Sequence, residues 1–279
     1  EAGSAGDAAA AAETPDRGRP DAERVAVGFF ANFFDALGIG SFATVSIRGS
    51  SSSQVDLYLD GMPLGDSYTG SANLGDLPLG GISSIEVYRG FSPPHIGSSS
   101  IGGVINLRTD TGKGMSAAGS IDAEARASYG SFETSRYALS LWPARGRVKA
   151  FLQGSYLDTQ GNFAYLDDKG TPENAGDDEE TLRVNNDSET IDFVGRLDVD
   201  LARAGRLSLG NNTVLRENGV AGIGAHQSQS ARTERTKQIT YLQYDARPVL
   251  AEKLEASANG FFSTGNEKFR DLEGEIGLA

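Results

Sequence analysis

The chain has 279 residues, no cysteine, 25 Lys plus Arg against 38 Asp plus Glu, and a formal net charge of −13. That balance excludes a phosphate-binding surface and with it a nucleic-acid partner, and the missing cysteines exclude disulfides and thiolate metal sites. Hydrophobic residues make up 38% and no run reaches the roughly 18 apolar residues that a transmembrane helix needs, a test that β-barrel strands escape because they alternate.

Residues 1–24 mix Ala, Gly, Asp, Glu and Pro without periodicity and read as an unstructured lead. Within it, 1–13 lacks the positive start and apolar core of a secretory signal. Phe29, Phe30, Phe33, Phe34 and Leu37 then fall at helical spacing, which is the pattern of an amphipathic core helix rather than of an aromatic ligand box. The lead and this segment together make a first region, 1–37.

From 38 to 110 the chain is a series of short apolar or alternating runs stopped by glycine. They are Val45 to Gly49, Val55 to Gly61, Ile82 to Gly90 and Ile96 to Asn106, and they predict the strands of a small mixed sheet with tight turns. The Ile47-Arg48-Gly49 segment, the strand ending Asp60-Gly61, the Ile85-Glu86-Val87-Tyr88-Arg89-Gly90 strand and the Ile96-Gly97 to Ile101-Gly102-Gly103-Val104-Ile105-Asn106 segment follow one another in an order that resembles the plug domain of TonB-dependent outer-membrane receptors. At motif level the resemblance covers about a quarter of the chain. The family's energy-coupling box and its Leu-rich Pro-Gly segment are not read in 1–37, unless 25–37 is a degenerate remnant.

The resemblance implies roles for particular residues. Arg48 and Arg89 would pair with acidic residues on a barrel wall, and together with Asp60 and Glu86 would hold the plug in place. Gly49, Gly61, Gly90, Gly97, Gly102 and Gly103 would shape its turns, and Asn106 closes the last motif. Loops 62–74 and 91–100 are rich in Ser, Gly, Tyr, Asn and Pro, and in the family such apical loops face the substrate. Asp66, Ser67, Tyr68, Asn73, Ser92 and His95 are therefore the ligand-contact candidates, with solvated loop residues as the plain alternative.

After a linker the pattern changes to strict alternation. Ile121, Ala123, Ala125, Ala127 and Tyr129 alternate with Asp122, Glu124, Arg126 and Ser128, and Ile191, Phe193, Gly195, Leu197 and Val199 with Asp192, Val194, Arg196 and Asp198. Similar runs lie at 136–141, 148–156, 207–215, 239–246 and 254–262, about seven strands in all across 119–279. Strands of about ten residues with one apolar face suit a lipid-facing barrel wall better than a soluble sandwich, whose strands average about five or six. Connections at 143–146, 202–205 and 248–252 are short and those at 158–189 and 217–235 long and polar, the asymmetry of periplasmic turns and outer loops, which the short 130–133 connection breaks. Tyr129, Trp142 and Tyr156 stand at strand ends as candidates for an aromatic girdle. The fold class expected is mainly β: a small mixed α/β plug sheet followed by antiparallel strands of a truncated transmembrane β-barrel, since the family closes its barrel with about twenty-two strands.

Asp167, Asp168, Asp177 and Asp178 are candidate ligands for a hard cation such as calcium, which some cobalamin receptors of the family hold in an outer loop. Their spacing matches no EF-hand, and a solvated charge run is the simpler reading. Two histidines, no cysteine and no nucleophile elbow leave no catalytic set, so an enzyme is not expected. By resemblance the function is energised import of a ferric siderophore, cobalamin or similar scarce substrate across the outer membrane of a Gram-negative bacterium. Its partners would be the inner-membrane TonB complex, outer-membrane lipid and the chelate itself. The alternative is a receptor or sensor without transport, or a soluble β-rich binding module.

Overall fold

The computed structural model describes residues 23–25, 47, 50–65, 81–89, 96, 100–109, 119–171, 173–223, 226–246 and 256–276. The chain divides into two compact units, one of 1–33, 45–72 and 83–108 and one of 34–44, 73–82 and 109–279. Among the described residues both are built of strands, with short 3₁₀ turns at Ser52–Gln54 and Ala202–Ala204 and no α-helix. The expected helix around Phe29 to Leu37 lies outside the described residues.

The first sheet has the order β1-β4-β5-β2-β3, with β1 Glu23–Val25, β2 Val55–Leu59, β3 Met62–Pro63, β4 Ile82–Tyr88 and β5 Gly103–Thr109. β2 and β5 pair in parallel at its centre, Val55 opposite Gly103 and Leu59 opposite Leu107. Parallel central strands are covered on both faces, which is why Val-Ile-Asn-Leu runs nearly unbroken in β5 and why Val104, Ile105 and Leu107 are all buried. Glu23 and Arg24, at the end of the stretch that reads as an unstructured lead, form the edge strand β1 and pair antiparallel with Val87 and Glu86. A three-residue ladder at a sheet edge needs little side-chain pattern, so composition conceals it.

The second sheet is an antiparallel meander of seven strands in the order β16-β15-β12-β11-β8-β7-β6. These are β6 Ile121–Gly130, β7 Thr134–Arg145, β8 Val148–Thr159, β11 Ser188–Asp200, β12 Arg206–Gly219, β15 Arg232–Asp245 and β16 Ser257–Arg270. Small hairpins, β9 Ala164–Asp167 with β10 Glu179–Leu182 and β13 Gly222–Ile223 with β14 His226–Gln227, fold within the two long connections. Those connections are shorter than the sequence suggests, because β12 runs on to Gly219 and β15 starts at Arg232. Polar residues carry these extensions: Arg232 bonds Glu217 and Asp187, and Arg235 bonds Glu267 across to β16. Cross-strand charge pairs extend a ladder as well as apolar pairs do, but they leave no hydrophobic alternation to read.

Register places Ala125, Leu139, Gly154, Phe193 and Thr213 in one row, and Ala123, Leu141, Leu152, Gly195 and Asn211 in the next. This face is exposed across the sheet, with Leu139 50%, Phe193 44%, Leu209 46% and Leu242 49% accessible. Burial lies on the opposite face, at Phe151, Gln153, Val194, Arg196, Val214, Ile239 and Tyr241. Trp142 belongs to that second face, opposite Asp122 and 5.5 Å from the Phe151 ring, so it is no girdle residue. Pro143 explains the interrupted β7–β8 ladder between Leu141↔Leu152 and Ala144↔Lys149, since proline has no N–H to donate. Among the described residues the sheet does not close: β6 and β16 are its outer strands and every residue of both is exposed.

Candidate functional site

Four of the motif residues converge inside the first sheet. Asp60 and Gly61 are the two central residues of the β2–β3 hairpin, flanked by the Leu59↔Met62 pair, with φ of 51° and 84°. Positive φ at both positions is the type I′ turn that Asp-Gly prefers. Gly61 N donates to Asn106 Oδ1 at 3.0 Å and Asp60 N to the Leu107 carbonyl at 2.7 Å, so the turn is pinned to β5. Asn106 Nδ2 donates in turn to Glu86 Oε2 at 2.8 Å, which also accepts from the Tyr88 hydroxyl at 3.2 Å. Arg108 Nε stands 3.5 Å from Glu86 Oε1. Asp60, Glu86 and Asn106 are each no more than 6% exposed.

A buried carboxylate is tolerable only when its lone pairs are met by donors, and Glu86 has an amide, a hydroxyl and a guanidinium. The network joins β4, β5 and the hairpin turn, three segments far apart in sequence. The Glu86 carboxylate thus has its partners within the sheet, where the resemblance implies a part in holding the plug in a wall. Gly102 and Gly103 form a second cluster. A Cβ at Gly102 would stand 2.6 Å from Ser50 Oγ and 2.7 Å from the Gln54 carbonyl oxygen, and one at Gly103 2.5 Å from the Tyr88 carbonyl oxygen. Backbone passes too closely there for any side chain. Arg89 follows β4 and is exposed. Arg48, Gly49, Gly90 and Gly97 lie outside the described residues, as do the ligand candidates Asp66, Ser67, Tyr68, Asn73, Ser92 and His95.

A charged group that the alternation does not single out stands on the buried face of the second sheet. Arg196, 7% exposed, donates from Nε to both Asp198 oxygens at 3.3 and 3.0 Å and from Nη2 to Oδ1 at 3.2 Å. Ser208 Oγ also donates to Asp198, and Arg196 Nη1 reaches Thr109 Oγ1, a residue of the same unit, at 3.4 Å. The signal available in sequence is an Arg and an Asp two apart on one face of a strand, a spacing common enough to pass as a solvated face.

The long connection between β8 and β11 carries aromatic and acidic groups on one hairpin. Phe132, Phe163 and Tyr165 pack edge to face at centroid distances of 6.2 and 6.4 Å, and the Arg183 guanidinium lies 5.4 Å over Tyr165. The four aspartates do not converge. Asp167 accepts from Lys169 N at 2.9 Å, Asp168 from Gly170 N at 3.0 Å, and Asp177 from the Thr171 hydroxyl at 2.8 Å. Among the described residues no group of three or more His, Asp or Glu side chains could hold a metal ion. Lys169 spans the hairpin to Glu179 at 2.9 Å, and that hydrogen bond, with the charges of Glu179 and Asp167, holds its amine above the usual lysine range.

Residues 11–104 match the family model of the TonB-dependent Receptor Plug Domain. The chain is 30% identical over 132 residues to the vitamin B12 transporter BtuB of Vibrio vulnificus, covering 47% of this chain and 19% of that protein. It is 37% identical over 81 residues to the vitamin B12 transporter BtuB of Photobacterium profundum, covering 29% of this chain and 13% of that one. Among solved structures it is similar to the siderophore receptor PiuA from Acinetobacter baumannii, with a TM-score of 0.56 at 14% identity over 83% of this chain and 32% of that chain. The chain therefore spans about a fifth or less of the curated relatives it matches. At 14% identity the structural likeness speaks to fold: a plug sheet followed by antiparallel strands of an outer-membrane receptor barrel.

Proposed function

We propose an import role on the premise that this chain belongs to the TonB-dependent receptors, outer-membrane proteins of Gram-negative bacteria, and carries their plug domain and adjoining barrel strands. In this reading the plug gates a barrel, a scarce chelate binds at its outer side, and force relayed by the TonB complex of the inner membrane releases the chelate inward. The observation that carries it is the Asp60-Gly61, Glu86 and Asn106 network, which turns motifs separated in sequence into one buried node of the plug sheet. Cobalamin is the first substrate to test, because two relatives matched at 30% and 37% identity are named for vitamin B12 transport. A ferric siderophore is the second, in line with the structural neighbour.

The test is uptake of labelled cobalamin and of ferric siderophores by cells that express the receptor together with its neighbouring coding sequence as their only such transporter, with and without a functional TonB complex. The role predicts saturable uptake of one chelate that disappears without TonB. Saturable binding without TonB-dependent uptake would instead make the protein a receptor or sensor. Arg48 and Arg89 are proposed to hold the plug in its wall, and replacing both with alanine should loosen the plug and slow uptake. Unchanged plug retention and uptake would remove that role.

A further inference from the structure

The connection 220–231, between β12 and β15, closes on itself around Asn185. Asn185 Nδ2 donates to the carbonyls of Val220 at 3.2 Å and Ala231 at 2.9 Å, and stands 3.3 Å from Ser228 Oγ. Ala231 N donates to that same oxygen at 3.1 Å, Val220 N to the Ala231 carbonyl at 2.9 Å, and Ser228 N to the Ala221 carbonyl at 3.1 Å. Ser228 and Ala231 are completely buried. With its oxygen accepting from Asn185 and Ala231, Ser228 has one hydroxyl proton left to give.

That proton goes to a carboxylate. Ser228 Oγ donates to Glu275 Oε2 at 2.6 Å, Ser230 N to the same oxygen at 2.9 Å and Ser230 Oγ at 3.0 Å, while Gln229 N reaches both carboxylate oxygens at 3.0 Å. Successive backbone N–H groups converging with hydroxyls form a concavity for an anion, and such charge-assisted bonds are stronger than neutral ones. These hydrogen bonds, that of Ser228 foremost, hold the Glu275 carboxyl at about 2. Glu275 is delivered by a turn after β16, in which Asp271 accepts from Glu275 N and Ile276 N, both at 2.9 Å. The donors are therefore organised from within by Asn185, and the carboxylate is brought to them from elsewhere.

We infer that residues 228–230 form a preorganised carboxylate-binding nest, which Glu275 fills as a tethered ligand and which takes the carboxylate of a free solute or substrate once Glu275 leaves. While Glu275 is seated, it clasps the turn after β16 to the β12–β15 connection. Tethering gives it an effective concentration on the order of millimolar, so a free monocarboxylate competes only at higher concentration. Placing this clasp at the outer mouth, where a substrate would meet it, rests on the barrel reading above.

The test does not need transport. Hydrogen exchange of the full chain in detergent should show the Gln229 and Ser230 amides protected, and Glu275→Ala should speed their exchange about tenfold, as expected for a lost hydrogen bond to a charged group. Acetate should restore that protection in Glu275→Ala, and acetamide, its neutral analogue, should not. In the double variant Asn185→Ala/Glu275→Ala, which dismantles the nest, acetate should restore nothing. Unchanged amide protection in β12 and β15 shows that each variant keeps its fold. Protection that survives Glu275→Ala without acetate, or that acetamide restores equally, would overturn the nest. Either result would leave the import proposal standing, because that proposal is read by uptake.

Discussion

Asn106 illustrates how one side chain ties distant motifs together, since its amide gives a proton to Glu86 and its carbonyl receives one from Gly61. Asn106→Ala takes one of three donors from a buried carboxylate and the acceptor from a turn amide, and should destabilise the plug sheet by about 2 kcal/mol. Asn106→Asp, which sets a second acid against Glu86, should do worse. Protease sensitivity of residues 81–109 during urea unfolding reads both, and equal resistance of wild type and Asn106→Ala would remove the node from the account. Gly61→Ala has room for a methyl group but must hold φ near 84°, at a cost of about 1 kcal/mol, whereas Gly103→Ala must also displace the Tyr88 carbonyl and should cost more. In the second unit, Arg196→Ala leaves the half-buried Asp198 without its guanidinium and should cost about 2 kcal/mol, most of which Arg196→Met/Asp198→Leu should recover. The Glu275 contact titrates with a definite sign. Its carboxyl is depressed from 4.5 to about 2, so its contribution is complete above pH 4.5 and is lost as pH falls through 2. Protection of Gln229 and Ser230, corrected for intrinsic exchange, should therefore stay constant between pH 7 and 5, and a loss within that range would contradict the assigned hydrogen bonds.

At the scale of elements, β15 joins two kinds of stabilisation in one strand. From Ile239 onward it carries buried apolar residues, Ile239 and Tyr241, on the covered face. From Arg232 to Arg235 it is held by Asp187, Glu217 and Glu267, with Glu234 paired to Arg270. Exposed ion pairs weaken as the Debye length shrinks to about 3 Å at 1 M salt, and apolar contacts do not. High salt should thus speed amide exchange in 232–236 and leave 239–243 unchanged, while uniform behaviour along the strand would refute the division. The same contrast decides what the sequence discloses. The period-two apolar face of β6, β8, β11 and β12 is legible because register aligns it across neighbouring strands, and the Asp60-Gly61 turn because its backbone demands those residues. The extensions at 232–238 and 216–219 are not legible, because charge pairing leaves no apolar period. Trp142 misleads because a strand end and an aromatic ring suggest an interface, while register turns it to the covered face beside Phe151. The partners of Glu86 are not legible either, because pattern alone cannot reveal that Asn106 and Tyr88 will meet it.

For the whole molecule, the determining feature is a seven-stranded sheet whose exposed face is mainly apolar and whose covered face buries polar and charged residues among apolar ones. Leu139, Phe193, Leu209 and Leu242 are each between 44% and 50% exposed, while Gln153, Arg196, Ser208 and Asn212 are each under 9%. Water as the surrounding solvent would favour the reverse, and hydrocarbon favours what is found. The most direct test places nitroxide labels at Leu139, Phe193 and Leu209, and separately at Gln153 and Asn212, in the protein embedded in lipid bilayers. Collision with oxygen, which concentrates in hydrocarbon, is then compared with collision with a water-soluble nickel chelate. A barrel wall predicts that oxygen dominates at the three leucine and phenylalanine positions and falls away at the glutamine and asparagine positions. Nickel access to Leu139, Phe193 and Leu209 as free as in water would contradict it.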